Sequence, residues 1–173
     1  MAIASQSQHL SAEALIAQFA LVAHPEGGHY RETYRASLQV ATARGSRPAS
    51  TAILFLLAAG ERSAWHRIHS DEAWHHHTGG PLLIHELSPD GQTRSSRLGL
   101  DLLAGDTPQH VVPAGRWFAA EPAGDAPWSL VSCTVAPGFV FEDFELASPR
   151  QLLGHREALN RICPHWQDLC SRS

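Results

Sequence analysis

The stretch GERSAWHRIHSDEAWHHHTGG, residues 60–80, decides how this chain reads. It carries five of the twelve histidines, together with Asp71, Glu72, Trp65 and Trp74. Histidine is the commonest metal ligand and the side chain whose ordinary pKa lies nearest neutrality. A histidine cluster beside a carboxylate, set inside the chain between apolar segments, marks the place where chemistry is expected. On a strand, alternate side chains share a face. Glu72, Trp74 and His76 therefore point one way, and Ala73, His75 and His77 the other. His75 and His77 read as a surface or dimer-facing pair.

Outward from this stretch the chain reads as short strands between turns. They fall at residues 29–36, 51–57, 73–77, 82–87, 93–98, 109–112, 116–120, 128–135 and 139–146, with residues 37–49 a polar loop. Ser88-Pro89-Asp90-Gly91 is a turn, since proline presets φ and glycine accepts positive φ. Many short strands at even spacing indicate a β-sandwich or barrel. A helix is expected over residues 11–23 with Ser11 as its N-cap, stopped by His24-Pro25-Glu26-Gly27-Gly28. Helix returns around residues 151–159. The organisation expected is a flexible N-terminus over residues 1–10, one β domain over 11–155, and a helical extension over 156–173.

Composition narrows the function classes. The chain has 173 residues, is 43% hydrophobic and carries a net charge of −4 with no basic run, which excludes a nucleic-acid footprint. No apolar run reaches the roughly 20 residues needed to span a bilayer, and the N-terminus lacks the pattern of a secretory signal. Three cysteines without a CxxC pair suit reduced thiols, and a cytoplasmic location is expected. No GxSxG elbow, phosphate-cradling loop or redox motif is present.

The register Gly60, His66, Glu72, Gly79 resembles the first motif of the cupin superfamily, G(X)5HXH(X)3E(X)6G. The second histidine position holds Ile68, with His69 one residue later. Pro113-Ala114-Gly115 resembles the PxG of the second motif, where the histidine expected three residues on is Phe118. The blocks HPEGGHYRETYRA (24–36), STAILFLL (50–57), WHRIHSDEAWHHHTGGPL (65–82), PQHVVPAGRWF (108–118) and VSCTVAPGFVFEDFELA (131–147) are similar, in order, to the cupin family catalogued as domain of unknown function 985. The resemblance implies a mainly β fold, a double-stranded β-helix or jelly-roll barrel with an N-terminal helix and a short C-terminal helix, forming a homodimer. It implies a small-molecule ligand in the barrel, and an architecture shared with sugar-nucleotide epimerases, germins and auxin-binding proteins. Fold alone does not fix the reaction.

On that footing His66, as base or orienting group, and Glu72, as its acidic partner, are the candidate acid–base pair. Tyr30, Glu32, Trp74, His76, Gln109 and Trp117 are candidate ligand-binding residues. Tyr30, Glu32 and Tyr34 alternate onto one face, and polar groups turned into a barrel are costly unless they bind something. Trp117 and Trp65 are cavity walls or core aromatics, and Cys133 reads as a small buried hydrophobe. The leading reading is an isomerase or epimerase acting on a sugar- or nucleotide-sugar-like ligand. The alternatives are a metal-dependent oxygenase or lyase, in which His66, Glu72 and either His69 or His76 hold a divalent transition metal, and a non-catalytic binding protein. With Ile68 and Phe118 at two of the four ligand positions, the metal is the minor reading.

Overall fold

A computed structural model describes residues 10–171; the N-terminal tail expected over residues 1–10 lies, except for Leu10, outside the described residues. The chain runs α1 (Ala12–Gln18), β1 (Val22–Ala23), β2 (His29–Arg35), β3 (Gln39–Thr42), β4 (Gly45–Pro48), β5 (Thr51–Ala58), β6 (Ser63–Arg67), β7 (Asp71–Gly79), β8 (Leu82–Leu87), β9 (Thr93–Leu98), β10 (Gln109–Val112), β11 (Trp117–Pro122), β12 (Trp128–Ala136), β13 (Glu145–Leu146), α2 (Pro149–Leu152) and α3 (Arg156–Ile162). Two antiparallel sheets face each other, β1-β2-β5-β12-β7-β10 and β13-β6-β11-β8-β9, and β3-β4 form a separate hairpin. Their facing sides enclose one core of Phe55, Leu57, Trp74, Leu82, Ile84, Phe118, Ala120, Val131 and Cys133. This is the jelly-roll barrel expected, with side chains filling its interior.

The outer faces are covered in two places. Ser11 caps α1 by accepting the Ala14 amide hydrogen, and Ala12 and Leu15 bury against Leu56, Trp128 and Leu130 on the back of the six-stranded sheet. The C-terminal segment lays Leu152, Leu159, Cys163, Trp166 and Leu169 over Trp65, Leu87 and Ala119 on the back of the five-stranded sheet. Among the described residues no helix is long and apolar enough to cross a membrane.

Three local expectations are corrected. The first helix ends at Gln18, not residue 23, because Ala20 turns to φ 50° and Val22–Ala23 pairs with β2 instead. Residues 37–49 contain the β3-β4 hairpin, whose strand residues are exposed or half-buried except for Pro48 and so carry little hydrophobic pattern. Residues 139–146 are not one strand: Phe141–Asp143 form a 3-10 turn, and two residues pair with β6. That break carries three phenylalanines over one end of the barrel.

Candidate active site

A cavity of about 320 Å3 opens at that end of the barrel. His66 enters from β6, Glu72 from β7 and Cys133 from the neighbouring strand β12, opposite Trp74, while Ile53, Phe55 and Val135 supply apolar wall. Phe139, Phe141 and Phe144 form the opposite wall, packed edge to face on one another. His66 is 2% exposed and Glu72 7%, so both have left water.

A residue that sequence reasoning passed over stands between them. Glu26, 9% exposed, is carried inward by the loop His24-Pro25-Glu26-Gly27-Gly28. The loop closes on itself, with the Gly27 amide donating to the His24 carbonyl at 3.0 Å, and it docks where the Ala64 amide donates to the Glu26 carbonyl at 2.8 Å. Gly27 has φ 106°, and a Cβ there would lie 2.2 Å from the Arg62 carbonyl oxygen, so only glycine lets the loop seat this deeply. The paired glycines thus place an acid in the barrel, which was the available signal: a carboxylate held next to an imidazole by a loop that demands close backbone approach.

The polar contacts fix most of the hydrogens. Ser63 Oγ donates to Glu26 Oε1 at 2.8 Å, and Glu26 Oε2 lies 3.3 Å from His66 Nε2 and 3.4 Å from His24 Nδ1. His66 Nδ1 is 2.7 Å from the Ala64 carbonyl oxygen, which can only accept, so the ring hydrogen sits on Nδ1 and the Nε2 lone pair faces Glu26. His24 Nδ1 accepts the Glu26 backbone N–H at 3.3 Å, which leaves its hydrogen on Nε2. A proton carried on Glu26 Oε2 would face the His66 Nε2 lone pair. Cys133 donates its thiol hydrogen to Glu72.

Burial sets the charges. It pushes the Glu72 carboxyl up to about 7, with nearby Glu26 adding to the rise and His66 and the Cys133 hydrogen bond opposing it. Burial likewise raises Glu26, against the pull of His24 and Ser63. It lowers His66, opposed by Glu72 and the Ala64 contact, and lowers His24. The Cys133 thiol is driven well above its ordinary value and stays protonated. Burial thus favours the uncharged forms of Glu26, His24 and His66, and near neutral pH Glu72 is balanced between its two forms. Such balance suits proton transfer.

The remaining candidates separate by placement. Tyr30 and Glu32 line the cavity. Tyr34 does not: a register shift between Glu32 and Tyr34 against β5 turns it out, 56% exposed, and brings Arg35 to the rim instead. Arg35 Nε and Nη2 grip Glu32 at 2.9 and 2.6 Å. Trp74 faces inward but sits behind the cavity wall, edge to face with Phe55 at 5.8 Å and Phe118 at 6.3 Å. His76 is also inward and away from the cavity, its Nε2 donating to the Gly80 carbonyl at 2.8 Å.

Gln109 lies on the outer face, because His110 and Val112 are the buried positions of β10; its amide meets His75 Nδ1 at 3.1 Å. Trp117 packs on the outside of the five-stranded sheet under the Arg67 guanidinium, 4.4 Å from its ring centroid. His69 is exposed on a bend, while Ile68 beside it lines the cavity. His77 is exposed and His75 half-buried.

The metal site implied by the resemblance was set against these donors. Ile68 and Phe118 offer no ligand atom, and the Phe118 ring packs 4.0 Å from the His66 ring, in the space a metal would share. His69 and His76 lie outside the cavity. His66 is already engaged at both nitrogens. The residues do not fit a four-ligand centre of that kind.

A jelly-roll barrel with a ligand-sized cavity carrying histidine and carboxylate at one end defines a cupin. The chain belongs to the Cupin superfamily (DUF985), whose pattern matches residues 13–147. An uncharacterised protein of Saccharomyces cerevisiae, YML079W, is 29% identical over 159 residues, 84% of this chain and 79% of that protein. A solved structure from Shewanella oneidensis is 40% identical with a TM-score of 0.78, covering 94% of this chain and 98% of that one. A hypothetical protein from Leishmania major is 34% identical with a TM-score of 0.77, covering 93% and 97%. Bacillus subtilis oxalate decarboxylase is 12% identical with a TM-score of 0.54, covering 80% of this chain and 33% of that one, a likeness of fold alone.

Proposed function

We propose that the cavity is the active site of a proton-transferring isomerase or epimerase, acting on a sugar- or nucleotide-sugar-like carbonyl compound. One observation carries the reading: Glu26 and His66, 3.3 Å apart, and a second carboxyl poised near neutrality, Glu72, face the same cavity. In this reading ionised Glu72 removes a proton from the carbon next to the carbonyl, and the Glu26–His66 pair gives a proton to the carbonyl oxygen. The enediol then turns in the cavity so that Glu72 returns its proton to the other face, or stays in place and takes it on the neighbouring carbon, while the Glu26–His66 pair takes back a hydroxyl proton as the carbonyl re-forms; this completes an epimerisation or an isomerisation. Glu72 then acts as the base and the Glu26–His66 pair as the acid, the reverse of the roles that the sequence suggested for His66 and Glu72.

The cavity volume suits one sugar unit. The phenylalanine wall offers a flat apolar face to its C–H edges, while Tyr30 and Arg35 stand at the polar side. We also read exposed Tyr34, Leu38 and Val111 as contact area for a second copy of the chain.

The test is exchange of substrate C–H for deuterium. Untagged protein is incubated in D2O with aldoses, ketoses and nucleotide sugars, and the carbon-bound hydrogens are followed by proton NMR. A compound that binds should lose the signal of the hydrogen next to its carbonyl. Glu72→Gln and Glu26→Gln should each slow that loss by about 100-fold or more, the usual range for acid–base groups. Binding without exchange for every ligand found would leave a binding protein and end the proposal.

A further inference from the structure

We propose that His85, Glu121, Cys163 and His165 form a zinc site on the outside of the barrel, which clamps the C-terminal segment to the five-stranded sheet. His85 projects from β8 and Glu121 from β11, on the face turned away from the cavity. Cys163 ends α3, and His165 follows two residues later. His85 Nε2 lies 3.0 Å from Glu121 Oε1, and His165 Nε2 lies 2.9 and 2.8 Å from the two Glu121 oxygens. Donor atoms of His85, Glu121 and Cys163 all fall within 4.8 Å of one another. Donors at zinc bond lengths stand about 3.3–3.6 Å apart in a tetrahedron; the Glu121 carboxylate already lies closer than that to both imidazoles, and closure needs Cys163 and the two rings to adjust around the ion.

Several features go beyond a chance cluster. The set of two imidazoles, one carboxylate and one thiol is a zinc set, and the four ligands of a closed tetrahedron belong to structural sites. His85 is 1% exposed and Cys163 1%, buried beside Trp65, Leu87 and Trp166 where apolar residues would cost less. Ser95 Oγ lies 3.0 Å from His85 Nδ1; a hydroxyl that donates or accepts suits either ring tautomer and can hold the ring with Nε2 free for a metal. The His165 backbone amide donates to the Cys163 sulfur. His165 is 46% exposed, which leaves a path for the ion to enter.

Binding replaces hydrogens with metal bonds. The Cys163 thiol gives its proton to solvent as the S–Zn bond forms. His85 moves its ring hydrogen to Nδ1, facing Ser95, and His165 frees Nε2 in the same way. Because binding releases the thiol proton, zinc affinity should rise with pH.

Untagged full-length protein, stripped with chelator, is titrated with Zn2+ against a chromophoric competitor and with Co2+ by absorbance. The expected result is one equivalent of zinc, and a cobalt spectrum with tetrahedral d–d bands and a thiolate charge-transfer band. Cys163→Ser should abolish that band, and Cys163→Ser and His165→Asn should each weaken zinc binding by at least tenfold. His165 is exposed enough for its variant to fold as the parent does. Glu72→Gln should leave both readouts unchanged. Absence of stoichiometric zinc, a cobalt spectrum without the thiolate band, or retention of both signals in Cys163→Ser overturns the proposal; loss in Glu72→Gln alone would move the ion to the cavity.

Discussion

Replacing Glu72 by glutamine should change how stability depends on pH, and in a stated direction. Burial lifts this carboxyl to about 7 from an ordinary 4.5. Above pH 4.5 the unfolded chain ionises Glu72 while the folded chain keeps it protonated, so stability falls as pH rises. The fall ends near pH 7, where the folded form ionises as well. At about 1.4 kcal/mol per pH unit, the loss across that window is about 3 kcal/mol. Glutamine keeps the shape and a polar end but has no proton to lose. Urea unfolding at pH 4.5 to 8.5, followed by tryptophan fluorescence, gives both curves. The wild type should lose about 3 kcal/mol relative to Glu72→Gln between pH 4.5 and 8. Parallel curves would show that Glu72 titrates as an ordinary surface carboxylate, and the description of the cavity would fail with it.

Other perturbations test separate parts. Gly27→Ala should destabilise by about 2 kcal/mol or more in urea, since the left-handed backbone and the close Arg62 carbonyl leave a Cβ no room. Trp74→Ala should cost about 3–5 kcal/mol in the same assay, because the ring is 1% exposed at the centre of the core. Arg35→Ala should leave stability within about 0.5 kcal/mol, its pair with Glu32 being solvated, yet weaken any anionic ligand measured by calorimetry. Joint replacement Ile68→His and Phe118→His should let the cavity take up about one equivalent of Mn2+ by elemental analysis, where the wild-type cavity retains less than about a tenth.

What the sequence made legible followed from alternation and from blocks of pattern. Glu72, Trp74 and His76 do share the inner face of β7, and His66 joins Glu72 from the neighbouring sheet. Pattern failed where a single residue shifts the phase. The irregularity beside Thr33 sends Tyr34 out and Arg35 in, and on β10 the inner face begins at His110 rather than Gln109. The bend at residues 69–70 leaves His69 exposed, although it lies close in sequence to both His66 and Glu72. Glu26 was hidden for another reason: its loop has no periodicity, and proline with paired glycine reads as a break. Only the docking of that loop on the backbone of residues 62–64 shows the break to be an insertion. His85 and Cys163, 78 residues apart, carry no shared motif; the packing of the C-terminal segment on β8 and β11 brings them together.

The central claim is that one end of this cupin barrel holds a proton-transfer site with its hydrogens arranged in advance. Carbon-13 NMR of protein labelled at the glutamate side-chain carboxyls, with nitrogen-15 labelled histidine, reads those hydrogens as pH is varied from 4 to 9. The account predicts that the Glu72 carboxyl titrates near 7 and that His66 remains neutral, with its hydrogen on Nδ1, at pH values where an exposed histidine is already charged. A Glu72 that titrates near 4.5, together with a His66 that protonates like a surface imidazole, would contradict it.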